Sequence, residues 1–128
     1  MSKTEPGLFY THDDEWVRVD GDEAEIGISD FAQEALSDIV YLELPSVGDS
    51  FTQGSAFGVV ESVKAAADLL MPVDGEIIAV NDELTDSPEQ LNNTPYEAWL
   101  VRIKMSRPDQ VASLMDATAY AAHQEANS

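Results

Sequence analysis

Apolar and polar residues alternate along most of this chain, with the period of two that a strand with one buried face requires. In "EWVRVDGDEAEIGIS", Val17 and Val19 share one face. Ala24, Ile26 and Ile28 share another across the Asp20-Gly21-Asp22 turn, which predicts a hairpin. "DIVYLELPSVGDSF" predicts a strand with Val40, Leu42 and Leu44 on one side, stopped by Pro45 and turned at Gly48-Asp49. "EAWLVRIKM" sets Trp99, Val101 and Ile103 against Arg102 and Lys104. Helices are few. Asp30 followed by Gln33 fits a capping box opening "FAQEAL", and Ser87-Pro88-Glu89-Gln90 fits a second with proline at the first helical position. The segment "PDQVASLMDATAYAAHQEA" spaces Val111, Leu114, Met115, Ala119 and Ala122 as one helical stripe to lie on the sheets, again with a proline, Pro108, at its start. The expected core is mainly β.

The same pattern singles out Lys64. In "FGVVESVKAAADLLMPVDGEI" two strand-like halves meet at this lysine, with Gly54 and Gly75 on either side, so it falls near a hairpin tip. It is the only basic residue between Arg18 and Arg102, and Val63, Ala65, Ala66 and Ala67 around it are small or apolar. A long amine projecting clear of the body, on a loop that an enzyme can grip, suits covalent loading; acylation would remove its charge and leave an amide tether. The competing chemistry is a Schiff-base lysine, which needs a lowered pKa. Glu61 and Asp68 nearby favour the protonated amine instead, so attachment fits better than catalysis.

Composition narrows the remaining classes. With 128 residues and 44% hydrophobic content, the chain is expected to form a single domain over 1–128, and no apolar run is long enough for a membrane span. There is no cysteine, which excludes a thiolate metal site or a cysteine nucleophile. "MSKTEPGLFY" has no basic region followed by an apolar one, so the expected compartment is the cytoplasm. Twenty-five acidic against six basic residues leave a net charge of -19, which repels phosphate backbones and anionic lipid, so nucleic acid and membrane are poor partners. Solubility and adaptation to high internal salt both account for such a surface.

His12 and His123 stand nearly a chain length apart in no ligand spacing, and are expected to be ordinary surface residues. Asp13-Asp14-Glu15 and Asp20-Gly21-Asp22-Glu23 lack the loop of a calcium site and read as solvated acidic faces. No metal site, nucleophile elbow or phosphate cradle is present in the sequence.

From about Tyr10 to Tyr120 the chain resembles a known family through "EWVRV", "IGISDFAQEALSDIVYLELPSVG", "FGVVESVKAA", "PVDGEI", "LNNTPYEAWL" and "SLMDATAY": the lipoyl-bearing H proteins of the glycine cleavage system. The resemblance implies a barrel-sandwich hybrid of two antiparallel sheets, with short helices and a C-terminal helix. It implies lipoate in amide linkage on Lys64, with Glu61, Ser62, Val63 and Ala65 as the patch read by the lipoylating enzyme. Biotin carriers look like Met-Lys-Met at this turn, and Val63 and Ala65 stand there instead. The implied role is a monomeric shuttle without a catalytic site. It would serve a pyridoxal-phosphate glycine decarboxylase, a tetrahydrofolate-dependent aminomethyltransferase and a flavin (FAD) dihydrolipoyl dehydrogenase. Glu15 matches the family's His-Glu-Trp glutamate, implying contact with the aminomethyl amine in a cleft; a solvated strand-start residue is the alternative. Two other roles stay open: a relay for octanoyl or lipoyl groups, and an acidic binding module whose lysine is never modified. Asp14 stands in place of the family's histidine, Ser37 in place of a common glycine, and "PYEAWL" is one residue short.

Overall fold

The computed structural model describes residues 3–127. Strands β1 (Phe9–Tyr10), β2 (Glu15–Asp20) and β3 (Glu23–Ile28) are followed by helix α1 (Asp30–Leu36) and strand β4 (Ile39–Glu43). Strands β5 (Ser50–Phe51), β6 (Ala56–Ser62), β7 (Ala66–Leu70) and β8 (Gly75–Val80) lead to short helices α2 (Glu83–Asp86) and α3 (Gln90–Asn93). Strand β9 (Val101–Met105), a 3-10 turn (Pro108–Ser113) and helix α4 (Ala117–Asn127) complete the order. One sheet runs β1-β2-β3-β9-β8-β5 and the other β4-β6-β7, with antiparallel pairing throughout. Val17, Ile26, Val101, Ile103 and Ile77 from the first sheet pack with Leu42, Val60 and Leu69 from the second in one apolar core. The two-sheet architecture implied by the resemblance is the one found, and the core is mainly β, as alternation predicts.

The β2–β3 hairpin forms as the pattern predicts, closing from Asp20 opposite Glu23. In β4 the pattern fails. A bulge against β6 lies between Ile39 and Tyr41, so Ile39 and Leu42 are buried and Val40, expected inside, is 56% exposed. An extra residue on one strand re-aims the side chains around it, which a strict period of two cannot anticipate.

The helix ends also differ from expectation. Ser29, not Asp30, caps α1: its Oγ accepts from the Ala32 N–H at 3.2 Å, while Asp30 opens the helix and accepts from Gln33 Nε2 at 2.8 Å. The second predicted box does not form, because Pro88 lies in a turn before α3 and the helix starts at Gln90. The C-terminal stripe is not one helix. Its proline opens the 3-10 turn, the chain then extends so that Met115 bridges to Tyr10, and α4 starts afterwards. That helix buries Tyr120, and Ala119 and Ala122 are exposed. The backbone hydrogen bonds between Tyr10 and Met115, at 2.7 and 2.9 Å, are the long-range contact that overrides the local helical spacing.

Two backbone positions near the sheets carry a steric constraint. Gly27 faces Trp16 across β2–β3, and a Cβ built there would lie 2.3 Å from the indole Cε2 of a fully buried ring. Ser37, where the resembled family commonly has glycine, ends α1 at φ 68 and ψ -152, a region that side chains with a Cβ disfavour. Asn92 holds that corner by donating to the Ser37 carbonyl at 2.8 Å and accepting from the Ile39 N–H at 2.9 Å. Gly27→Ala is expected to lower unfolding stability by about 2–3 kcal/mol, as overpacking does. Ser37→Gly is expected to raise it by about 1 kcal/mol through relief of strain. Urea unfolding of the three proteins checks both, and reversal of either sign would contradict the steric account.

Candidate functional site

Lys64 sits at the tip of the β6–β7 hairpin, and the backbone beneath it is tied down. The Ser62 N–H donates to the Ala65 carbonyl at 2.7 Å, and Ser62 Oγ accepts from the N–H groups of Lys64 and Ala65 at 3.1 and 3.0 Å. The Val63 N–H donates to the Asp38 carbonyl at 3.0 Å, joining the tip to the entry of β4. The side chains of Val63, Lys64, Ala65, Ala66 and Ala67 are exposed, so the loop is fixed in its main chain and open in its surface. Glu61 is exposed on β6, paired between Tyr41 and Ala66. The lysine amine leans back over α1 and donates to the Ala35 carbonyl at 3.4 Å. That carbonyl lies in the last turn of the helix, where orphan C=O groups favour a cation.

From this point a cleft of about 190 Å³ runs between α1 and the hairpin. Its walls are apolar, with Ile28, Ala32, Leu36, Val60 and Leu69, and its polar lining is Asp13, Asp14, Glu15 and Asp68. Glu15 marks the end away from the lysine, since its Oε2 accepts from the N–H of Leu70, the last residue of β7, at 3.0 Å.

Glu15 corrects the expectation of a solvated acidic face. It is only 2% exposed. Its other oxygen, Oε1, accepts from the Thr11 hydroxyl at 2.8 Å. Burial pushes its carboxyl up from the ordinary 4.5 to about 8; the hydrogen bonds from Leu70 and Thr11 oppose this, and the charges of Asp13 and Asp14 add to it. Asp14 is half-buried with φ 70, and burial raises its pKa against the opposing effects of Tyr120 and His123. The Tyr120 hydroxyl donates to Asp14 Oδ1 at 2.8 Å and lies 2.6 Å from Ser29 Oγ, so the cap of α1, the β1–β2 turn and α4 meet in one chain of hydrogen bonds.

Asp20 stays 77% exposed and Glu23 partly exposed, as a solvated acidic face requires, and both pair at the surface with Arg102 at 2.9 Å each. The two histidines are brought together, His12 from the β1–β2 turn and His123 from α4, with ring centroids 4.9 Å apart edge to face. Four contributors were not read from the sequence: Thr11, Ala35, Asp38 and Tyr120. Thr11 and Glu15 lie four apart, which a turn would have made visible; the other three act through contacts between distant segments, for which linear spacing holds no signal.

The family model described as glycine cleavage H-protein matches residues 8–127. A glycine cleavage system H protein of Methylacidiphilum infernorum is 55% identical over 112 residues, covering 87% of this chain and 88% of the relative. The one from Chromohalobacter salexigens is 52% identical over 122 residues, covering 94% and 93%. The crystal structure of a glycine cleavage system H protein from Mycobacterium marinum superposes with a TM-score of 0.87 at 34% identity, covering 95% of this chain and 99% of that one. With a match over nearly its full length in both sequence and fold, this chain belongs to the glycine cleavage H-protein family.

Proposed function

We propose that this chain, acting as one unit over residues 1–128, is the lipoyl-bearing shuttle of a glycine cleavage system, with lipoate in amide linkage on Lys64. One observation carries the attachment site: an exposed lysine on a tied hairpin tip, whose amine already points to the mouth of a cleft with apolar walls and a carboxylate lining. These residues fit a lipoyl arm. The apolar walls suit its methylene chain, and the carboxylates suit a cationic amine at its end. The relay and the unmodified binding module are not favoured by family membership.

When attached, lipoate supplies a disulfide and dithiol that would exchange an aminomethyl group between a pyridoxal-phosphate glycine decarboxylase and a tetrahydrofolate-dependent aminomethyltransferase, and electrons with a flavin dihydrolipoyl dehydrogenase. The chain's own residues do the rest. Ser62 and Asp38 hold the tip so that its geometry does not depend on where the arm is. Ile28, Leu36 and Leu69 exclude water from the cleft, which slows hydrolysis of bound cargo. Glu15 is the residue we assign to the amine: a docked cation favours its carboxylate and draws off the proton that burial otherwise retains.

Lys64→Arg is expected to fold normally and take up no lipoate when incubated with a lipoate ligase, lipoate and ATP; intact mass checks this, and a lipoyl-sized increment on the variant would remove the assignment. Glu15→Gln tests the second residue in two ways. In the folded chain Glu15 keeps its proton to about pH 8, and in the unfolded chain only to about 4.5, so between these values the native state binds more protons and stability falls as pH rises. The Gln variant loses that dependence, so its stability relative to the parent should increase from pH 5 to pH 8 in denaturant titrations. Its loaded form should also release the aminomethyl group faster. An unchanged pH profile would deny the buried acid, and an unchanged lifetime would deny the amine contact.

A further inference from the structure

Three of the four large apolar side chains exposed among the described residues lie at one end of the three-stranded sheet: Val40 at 56%, Tyr41 at 48% and Val63 at 69%. The bulge in β4 sets two of them side by side at the surface, and the hydrogen bond from the Val63 N–H to the Asp38 carbonyl brings in the third. The strand register shows which face this is. Leu42, Val60 and Ala67 form a row in which the first two are in the core and the last two line the cleft, so the adjacent row of Tyr41, Glu61 and Ala66 points the opposite way. Exposed Glu43 and Glu61 flank the apolar group.

We propose that Val40, Tyr41 and Val63 form the docking surface for the enzyme that acylates Lys64, a partner whose contact has an apolar centre and a basic rim. This rests on the lipoyl-carrier proposal above. Position identifies the partner. Amide formation requires the amine to attack an activated acyl carbon, such as that of a lipoyl-adenylate, releasing AMP and a proton. The enzyme must therefore close on the tip itself, beside Val63. The enzymes that use the finished arm react at its far end, away from the tip. The amine leans toward α1, so an enzyme gripping the opposite face leaves it clear for the acyl donor. The carboxylates select a cationic rim and steer its approach, and a net charge of -19 opposes a second copy of this chain on the same surface.

The family resemblance implies a recognition patch of Glu61, Ser62, Val63 and Ala65; the bulge adds Val40 and Tyr41 from a distant segment. The test is the double variant Val40→Ser, Tyr41→Ser, with circular dichroism to verify folding, and initial rates of lipoylation by a lipoate ligase with lipoate and ATP. KM for the carrier is expected to rise about tenfold, the size of effect typical of a central apolar contact, with kcat little changed. The variant loaded by long incubation should then be turned over by dihydrolipoyl dehydrogenase and the cleavage enzymes at the parental rate. An unchanged KM would overturn the proposal, and so would parental lipoylation with impaired turnover by an arm-using enzyme, or with a change in oligomeric state. If the parent chain stays unmodified beside a lipoylated control carrier, the lipoyl-carrier proposal itself falls, and the docking surface with it.

Discussion

A single buried carboxyl joins the two sheets where the cleft ends. Glu15 begins β2 in the six-stranded sheet, and its Oε2 takes the N–H of Leu70 on β7, the edge strand of the three-stranded sheet. An edge N–H with no partner would be costly to bury and would invite pairing with another chain. Here it is satisfied by a side chain from the opposite sheet, and the Thr11 hydroxyl satisfies the other carboxyl oxygen. The same contact therefore closes the core, caps an edge and places an acid at the end of the cleft. Its electrostatic consequence is a carboxyl whose pKa burial raises to about 8, with the charges of Asp13 and Asp14 adding to the shift.

Charge is distributed unevenly for so acidic a chain. Arg102 gathers Asp20, Glu23 and Glu25 along β2 and β3, Arg18 shares Glu25, and Lys104 faces Asp22 at 3.6 Å. Each pair is partly exposed and contributes modestly to stability. Their effect is local neutralisation of the β2–β3–β9 face. The carboxylates around the hairpin and cleft are left to set the potential there, with the Lys64 amine donating to the Ala35 carbonyl in the last turn of α1. Under the proposed attachment, acylation of Lys64 would remove its charge and make the field around the tip more negative still.

Asp14, where the resemblance implies a histidine, has a definite setting in the structure. A left-handed backbone turns its side chain to the Tyr120 hydroxyl, which also meets the oxygen that caps α1. The stacked rings of Tyr10 and Tyr120, 4.3 Å apart, hold α4 against β1 beside this link. The C-terminal helix is in this way part of the cleft's supporting wall.

Alternation was enough to determine the hairpin of β2 and β3, the part of "EAWLVRIKM" from Val101 that forms β9, and the mainly β class, because a period of two is read directly from which side chains are buried; Trp99 lies before the strand, and Leu100, not Trp99, is fully buried there. The place of Lys64 at a hairpin tip, between two strand-like halves, was legible for the same reason: it is a local feature of one hairpin. Tertiary structure decided the rest. The bulge that exposes Val40 depends on pairing with β6, and the break before α4 depends on the bridge from Met115 to Tyr10. For Glu15 the pattern left a solvated residue and a cleft residue both open, because nothing in "HDDEW" encodes the N–H of Leu70 that draws it inward. Local periodicity records which face of an element is buried; it does not record which element will cover that face, and the cleft is made by that covering.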